Sequence, residues 1–163
     1  MLLVVAGVSG SGKSTIGALL ASRLGLPFAD ADDLHPASNV AKMAGGHALD
    51  DDDRWPWLAA VGRVLAESSS TGLVMACSAL TRRYREAILA VAPDARFVLL
   101  EGSHDLLERR MLARTDHFMP ASLLDSQLAT LEPLADDEPG VAVANVGAPT
   151  DVVDAIVLRL SPS

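Results

Sequence analysis

The sequence of 163 residues has few of the residues that mark several large classes of protein. A single cysteine, Cys77, excludes an internal disulfide and a zinc site built from several cysteines. No run of about 18 apolar residues is present, so no membrane-spanning helix is expected. The formal net charge is -8, and nucleic acid is not an expected partner because binding it requires a basic face.

The residues that are present indicate a globular protein. Half of them are hydrophobic, which suits a chain that buries a full core and does not remain disordered. The apolar run at 2–6 has no basic segment before it and leads into a glycine motif, which predicts a buried strand and not a signal peptide. The single cysteine favours a reducing, cytoplasmic setting. The length and the lack of a linker predict one domain over residues 1–163.

Strand-like and helix-like segments alternate along the chain, which predicts a parallel sheet covered by helices on both faces. The apolar runs predict five strands, at 2–6, 26–29, 73–77, 97–100 and 141–146. Apolar residues at helical spacing predict helices over 14–24 and around 57–65, 84–89, 106–111 (with Ser103 as N-cap), 124–131 and 152–160. In this α/β class, ligands bind at the carboxyl ends of the strands.

Residues 7–14 form a complete G-x-x-x-x-G-K-S motif. Its glycines let the backbone curl around phosphate oxygens, and the positive end of the next helix dipole faces the same ligand. Lys13 is expected to reach the β- and γ-phosphates of ATP, and the Ser14 hydroxyl to bind Mg²⁺. A ligand-free glycine loop is the disfavoured alternative, because the motif joins an apolar strand to an amphipathic helix. The predicted ATP-binding residues here are Gly7, Ser9, Gly10, Ser11, Gly12, Lys13, Ser14 and Thr15.

Two carboxylates, Asp30 and Asp32, follow the second predicted strand. Alternate residues of a strand point the same way, so both can face one site. Phosphoryl transfer needs one group that accepts the proton of the acceptor hydroxyl and others that hold magnesium, and one carboxylate for each task is a reasonable division. Because the third strand ends in Cys77-Ser78 and not in an aspartate, Asp30 is the best metal candidate beside Ser14. An Asx turn or a helix N-cap is the structural alternative.

Several further motifs occur in a fixed order along the chain. They are Asp-Ala-Asp-Asp-Leu-His-Pro at 30–36, Asn39 with Lys42-Met43, Leu-Asp-Asp-Asp-Asp-Arg-Trp-Pro-Trp-Leu at 49–58, Cys-Ser-Ala-Leu at 77–80 with Tyr84-Arg85, and His-Phe-Met at 117–119. In this order and spacing, and together with the glycine loop, they resemble the gluconokinase family from residue 1 to about 133. Single motifs are moderately specific, and the set is highly specific.

The resemblance implies a P-loop NTPase fold of the nucleoside-monophosphate-kinase type, with a small lid at about 114–120. It implies transfer of a phosphoryl group from ATP to the 6-hydroxyl of D-gluconate with Mg²⁺, giving 6-phosphogluconate and ADP, in a cytoplasmic homodimer. Lys13 and Asp32 would be catalytic, and Asp32 would hold and deprotonate the hydroxyl. Arg110 and Arg114 would contact ATP from the lid, and Pro149 would lie near the adenine. The residues implied at the substrate are Asp32, His35, Arg54, Ser78, Tyr84 and Arg85.

Two departures from the family pattern concern the nucleotide side. Asp116 precedes the lid histidine, His117, where the family usually has glycine. Asn145-Val146-Gly147 replaces acidic residues after the last predicted strand.

Other functions fit part of the same sequence. A shikimate-type or nucleoside-monophosphate kinase shares the architecture, and a non-catalytic nucleotide-dependent switch shares the loop. No Asn-Lys-x-Asp motif that reads guanine is present. Asp30, Asp32 and Arg54 provide an acceptor-side site, which a switch does not need.

The arginines differ in what their positions indicate. Guanidinium groups suit a substrate carboxylate, and Arg54 and Arg85 are the predicted partners. For Arg82 and Arg83, the solvated first turn of a helix is the favoured interpretation. The aspartates at 50–53 are interpreted mainly as a helix start, and Cys77 as a small buried hydrophobe.

Overall fold

The computed structural model describes residues 1–8, 10–102, 107, 109 and 121–162, with side chains described from residue 125 onward in the last range. The elements are β1 Leu2–Ala6, α1 Lys13–Leu24, β2 Phe28–Asp30, a 3-10 turn Ala31–Leu34, α2 Ala37–Ala44, α3 Asp51–Glu67, β3 Leu73–Ala76, α4 Arg82–Val91, β4 Ala95–Glu101, α5 Ala121–Thr130, β5 Gly140–Ala144 and α6 Pro149–Leu160.

The described strands form one parallel sheet in the order β2-β3-β1-β4-β5. The strand β1 is therefore central, with β3 on one side and β4 on the other. The predicted α/β fold, with five parallel strands and helices on both faces, is confirmed. Ligand-binding loops at the carboxyl ends of β1, β2 and β3 consequently lie along one edge of the sheet.

The sheet separates two apolar layers, because alternate residues of each strand face opposite sides. In β1, Leu2, Val4 and Ala6 face one layer, and Leu3 and Val5 face the other. The first layer is completed by α3 and α4 through Trp57, Leu58, Val61, Leu65, Tyr84 and Ile88. The second is completed by α1 and α6 through Ile16, Leu20, Val152, Val153 and Ile156. These buried layers fix the sheet edge on which the candidate site is built.

Near the site, the structure differs from the prediction at two elements, the strand β2 and the helix α2. The second strand begins at Phe28 and not at Leu26, because the Leu26 amide donates to the Ala21 carbonyl at 2.9 Å and so belongs to the end of α1. Helix α2 has no counterpart among the predicted elements; its one buried residue is the polar Asn39, whereas its apolar Val40 is 52% exposed. The predicted lid at 114–120 and the Ser103 N-cap lie outside the described residues.

The aspartates at 50–53 begin α3, as predicted. The Asp50 side chain accepts from the Asp53 amide at 2.8 Å, and the Asp53 side chain accepts from the Asp50 amide at 2.9 Å. This reciprocal capping box fixes the first turn of α3, from which Arg54 projects. Among the helices that the structure describes, none has the length and apolar character needed to cross a membrane.

Candidate active site

The glycine-rich loop connects the central strand β1 to α1 and takes its shape from its glycines. Gly10 and Gly12 have φ angles of 79° and 84°, in the left-handed region that residues with a side chain rarely adopt. The Ser11 amide donates to the Val8 carbonyl at 3.2 Å. The Lys13 ammonium donates to the same carbonyl at 3.3 Å, so the lysine side chain folds back along the loop.

Asn145, at the end of β5, braces this loop from the opposite end of the chain. Its side-chain amide donates to the Ser11 carbonyl, and the residue is 4% exposed. A Cβ atom at Gly12 would lie 3.0 Å from the same amide nitrogen, so the brace leaves little room for a larger residue there. In the sequence, Asn145 stands out only as a departure from the family pattern, and its contact with the loop is visible only in the structure.

Ser14, in the first turn of α1, and Asp30, the last residue of β2, meet beside the P-loop. The Ser14 hydroxyl donates to Asp30 Oδ2 at 2.7 Å, and Asp30 Oδ1 accepts from the Asp32 amide at 2.9 Å. Asp30 therefore caps the 3-10 turn and contacts the P-loop helix at once. Strand alternation, which predicted that both carboxylates face one site, does not apply here, because Asp30 ends β2 and Asp32 belongs to the 3-10 turn after it. Their proximity comes from this turn and not from strand alternation.

The Ser14–Asp30 pair has the chemistry that Mg²⁺ prefers, since both groups offer oxygen atoms. Among the described residues, no group of three or more His, Cys, Asp or Glu side chains could hold a metal ion by itself. Magnesium bound with nucleotide usually takes one or two protein ligands and completes its shell with phosphate oxygens and water. The pair fits such a shared site.

His35 lies just after the 3-10 turn and packs flat against Trp57. The two rings are 4.1 Å apart at their centroids and 14° from parallel. Asn39 Nδ2 lies 3.2 Å from His35 Nδ1 and so orients the imidazole. Burial lowers the pKa of His35, Asp32 opposes this shift, and Arg54 adds to it. The imidazole is therefore held toward its neutral form, between the Asp32 turn and the Arg54 turn.

Helix α2 is tied to the start of α3 by two polar contacts. Asn39 donates to the Asp53 carbonyl at 2.9 Å, and Lys42 donates to the Asp53 carboxylate at 2.6 Å. The hydrogen bond from Lys42 is the main cause that lowers the pKa of Asp53. The segment that carries His35 is thus anchored to the helix that carries Arg54.

Arg54 meets the aromatic ring and hydroxyl of Tyr84 from α4. Its guanidinium donates to the Tyr84 hydroxyl at 2.9 Å, and its central carbon lies 5.2 Å from the ring centroid. The hydroxyl itself donates to Asp51 Oδ1 at 2.5 Å. Tyr84 is 4% exposed and its hydroxyl both donates and accepts a hydrogen bond within the protein, so it holds Arg54 in place. Its contact with the substrate stays a prediction.

The prediction that Arg85 meets the substrate is corrected by the structure. Arg85 is 0% exposed, and its Nε and Nη2 atoms donate to the Glu138 carboxylate at 2.6 and 3.0 Å. The remaining guanidinium N–H groups donate to main-chain carbonyls of Ala79, Leu80, Glu132 and Pro133. All five N–H donors of this side chain are therefore used inside the protein, and none is directed to a ligand.

The other predicted site residues fall into two groups. Ser78 is half-buried in the loop after β3, whereas Thr15 and Pro149 are exposed in the first turns of α1 and α6. Ser9, Arg110 and Arg114 lie outside the described residues.

Cys77 is 1% exposed, and burial raises the pKa of its thiol to about 12. This agrees with the interpretation of Cys77 as a small buried hydrophobe and not a nucleophile.

Comparison with known proteins places this site in a family. The sequence matches the family model of shikimate kinase over residues 9–138. It is 46% identical over 157 residues to the gluconokinase of Gluconobacter oxydans (strain 621H), an alignment that covers 95% of this chain and 88% of that protein. The chain belongs to the gluconokinase family.

Solved structures of similar sequence share the whole architecture of this gluconokinase-family chain. A gluconokinase from Sinorhizobium meliloti 1021 has a TM-score of 0.88 at 47% identity, over 98% of this chain and 92% of that one. A sugar kinase from Janibacter sp. HTCC2649, in an unliganded structure, has a TM-score of 0.91 at 41% identity, over 98% and 95% of the two chains. The fold is therefore that of the shikimate-kinase-like P-loop kinases, and the protein is a kinase.

Proposed function

We propose that this kinase transfers the γ-phosphoryl group of ATP to the 6-hydroxyl of D-gluconate, giving 6-phospho-D-gluconate and ADP. The observation that supports this most directly is the hydrogen bond of 2.7 Å between Ser14 and Asp30. It joins the P-loop to the turn that carries Asp32, and so places a nucleotide-binding element beside a carboxylate suited to an acceptor hydroxyl. The names of the relatives supply the identity of the acceptor.

On the nucleotide side, the loop at 7–15 would surround the phosphates with backbone N–H groups. The Lys13 ammonium would leave the Val8 carbonyl and stabilise negative charge on the transferring phosphoryl group. Arg110 and Arg114 are proposed to reach the phosphates from a lid at about 114–120, and Pro149 to lie near the adenine. Their positions follow from the family resemblance.

Ser14 and Asp30 are proposed to hold Mg²⁺. When bound, the ion would neutralise charge on the phosphate oxygens. The Ser14 hydroxyl would then direct a lone pair at the ion, and the proton that it now donates to Asp30 would be directed elsewhere.

Asp32 is proposed as the group that accepts the proton of the 6-hydroxyl. Its backbone amide donates to Asp30, which also accepts from Ser14, so the turn that carries the Asp32 carboxylate is linked to the first turn of the P-loop helix. As the proton moves to Asp32, the hydroxyl oxygen forms a bond to the γ-phosphorus and the bond to the β,γ-bridging oxygen of ATP breaks. The bridging oxygen leaves as part of ADP, so charge and atoms balance.

Arg54 is proposed to bind the carboxylate of gluconate, with His35 and Ser78 contacting its hydroxyls. An acidic chain with a net charge of -8 needs a local cation to bind an anionic acceptor beside anionic ATP. Of the two arginines predicted for this task, Arg85 is fully occupied in the interior, which leaves Arg54. The charge of Arg54 lowers the pKa of His35, and that of Asp32 raises it, so both charges act on this imidazole.

The test compares acceptors and variants. Purified protein with ATP and Mg²⁺ is offered gluconate, glucose, sorbitol and shikimate, and gluconate should have by far the highest kcat/KM. Arg54→Gln should lower kcat/KM for gluconate by roughly 10- to 150-fold, because one charge-assisted contact is worth about 1.5–3 kcal/mol. Sorbitol has no carboxylate, so its turnover should change much less.

Arg63→Gln is the matched control, since Arg63 is an exposed arginine of the same helix. Equal losses on gluconate and sorbitol in Arg54→Gln would show that Arg54 does not read the carboxylate. Preferred use of shikimate would instead favour the shikimate-type alternative, which shares the family model.

We also propose that the enzyme works in the cytoplasm as a homodimer, as the family resemblance implies. Light scattering coupled to gel filtration would measure the mass of the assembly. A mass equal to that of one 17.0 kDa chain would contradict the dimer.

A further inference from the structure

Asp51 lies at the centre of a polar network around the acceptor-side arginine. Asp51 and Arg54 are three residues apart in the first turns of α3, so their side chains project from the same face of the helix. They are linked through the Tyr84 hydroxyl, which donates to Asp51 at 2.5 Å and accepts from Arg54 at 2.9 Å. The same carboxylate accepts from Arg83 at 3.2 Å through its other oxygen.

We propose that Asp51 is a positioning residue for acceptor recognition, which acts through the Tyr84 hydroxyl to fix the direction of the Arg54 guanidinium. The inference deepens the proposed function and rests on it, because it assigns to Arg54 the carboxylate of the acceptor. Asp51 itself touches no substrate in this proposal.

The direction of each hydrogen bond in this network follows from the chemistry of its groups. A phenol has one proton, and an ionised carboxylate can only accept. The Tyr84 hydroxyl therefore donates its hydrogen bond to Asp51, and the tyrosine oxygen accepts a hydrogen bond from Arg54. The hydrogen bond from Tyr84 is the main cause that lowers the pKa of Asp51, and Arg83 lowers it further, so the carboxylate is ionised at neutral pH.

The surroundings leave Tyr84 little freedom to make another arrangement. The residue is 4% exposed, and the Trp55 ring meets it edge-on with centroids 5.6 Å apart and planes at 75°. Arg54 lies over the ring face, with its central carbon 5.2 Å from the centroid. With the ring fixed, the proton of its hydroxyl is the one part of Tyr84 that can reorient, and Asp51 determines where that proton points.

Replacing the carboxylate by an amide would remove this control. The new side-chain amide in an Asp51→Asn variant could donate to the tyrosine oxygen and so compete with Arg54, or leave the phenol proton free to face the guanidinium. Either change would let Arg54 adopt other orientations. The loss should appear as weaker binding of the acceptor and not as slower phosphoryl transfer.

The experiment compares Asp51→Asn with Asp52→Asn. Asp52 is the next residue in the same helix turn, is exposed and makes none of these contacts, so the control removes an equal charge at the same helix N-terminus. Asp51→Asn should raise KM for gluconate about three- to tenfold, the size expected for one lost hydrogen bond, with kcat and KM for ATP within about twofold of wild type. Asp52→Asn should leave all three near wild type.

A second variant tests whether Asp51 acts on Arg54 through the Tyr84 hydroxyl. Tyr84→Phe removes the hydroxyl and retains the ring, so it should raise KM for gluconate to a similar extent. The double variant Asp51→Asn/Tyr84→Phe should be no worse than the poorer single variant, because both substitutions break the same link. Multiplied losses in the double variant would overturn the proposal, as would an unchanged KM in Asp51→Asn.

A spectroscopic measurement separates this inference from the proposed function. Tyr84 is the only tyrosine in the chain, so tyrosine labelled at the ring carbon that carries the hydroxyl gives one NMR signal. That signal should move in Asp51→Asn and stay in Asp52→Asn, whatever the acceptor is. An unchanged chemical shift of Tyr84 in both variants would overturn the Asp51–Tyr84 link. Absence of activity on gluconate in the wild-type protein would overturn only the proposed acceptor and the role of Asp51 in binding it.

Discussion

The two halves of the candidate site are built in different ways. The described part of the nucleotide half is centred on one loop, whose shape comes from main-chain angles such as the φ of 84° at Gly12, with Asn145 as a distant brace. The acceptor half gathers side chains from three separate segments, represented by His35, Arg54 and Tyr84, and each is held by partners of its own. A site formed by main chain is encoded locally, whereas a site formed by side chains depends on residues that lie far apart in the sequence.

This difference predicts different consequences of mutation. Changes on the nucleotide side should remove groups that act on the transferring phosphoryl group, and so should lower kcat. Changes to the supporting residues of the acceptor side should alter selectivity or stability first.

The largest effect is expected from Lys13→Met. Removing a cation that stabilises the transferring phosphoryl group should lower kcat by roughly 10³–10⁵-fold, with little change in the melting temperature. The chain has one other lysine, Lys42, which pairs with Asp53 at the far end of α2. Lys42→Met is therefore the matched control and should retain turnover. Steady-state kinetics and thermal melts measure both, and Lys13→Met activity within a few-fold of wild type would contradict the P-loop assignment.

Asp32→Asn should come next, with kcat lower by roughly 10²–10⁴-fold because a general base is lost. The dissociation constant for gluconate should stay within about tenfold of wild type, since an amide still offers hydrogen bonds to the hydroxyl. Isothermal calorimetry and saturating kinetics measure the two quantities. Asp33→Asn, a neighbour in the same turn, controls for the change in charge. If binding were lost while kcat at saturation persisted, Asp30 would become the candidate base.

Arg85→Met tests the corrected role of that arginine. It would leave Glu138 buried without its partner, which should cost about 3–5 kcal/mol in the free energy of unfolding. Arg82→Met is the comparison, because Arg82 pairs with Asp137 at 2.6 Å but its side chain is 40% exposed, and exposed ion pairs contribute little to stability. Denaturant titration measures both. The double variant Arg85→Met/Glu138→Leu should recover part of the lost free energy of unfolding. Equal losses in Arg85→Met and Arg82→Met would contradict the structural role assigned to Arg85.

The smallest effect concerns pH. The pKa of His35 lies below its ordinary value of 6.5, mainly because of burial, so the unfolded chain takes up a proton there before the folded protein does. The stability that His35 contributes is present above about pH 6.5 and is lost as the pH falls through the lower, folded pKa. The melting temperature should therefore decline below this pH, and His35→Gln should weaken the decline. His47→Gln, at an exposed position, should not.

Much of the fold could be predicted from the sequence because its strands are continuous apolar runs and most of its helices carry apolar stripes. Helix α2 could not, since it contacts the protein through polar groups such as Asn39 and Lys42. The P-loop could be located because it is one contiguous motif. The Ser14–Asp30 contact was expected as a shared metal site, although the reason given for the position of Asp32 was wrong.

The arginines show where prediction from sequence stops. Tyr84 and Arg85 are neighbours in one motif, but successive residues of a helix point about 100° apart. Tyr84 consequently faces Asp51 and Arg54, while Arg85 faces inward to Glu138, 53 residues further along the chain. No local sequence pattern distinguishes an arginine that is available to bind a ligand from one that pairs with a residue in a distant loop. The sequence shows Asn145 only as an unusual residue. Its contact with Ser11 depends on the register of β5 beside β4.

The contact between Asn145 and Ser11 also has a consequence for the order in which the protein matures during synthesis. The two residues are 134 positions apart, so the loop is synthesised well before the residue that braces it. The central strand that leads into the loop must likewise wait for both of its neighbours in the sheet. A nascent chain therefore carries the complete glycine-rich motif well before the side chain that braces Ser11 has been synthesised.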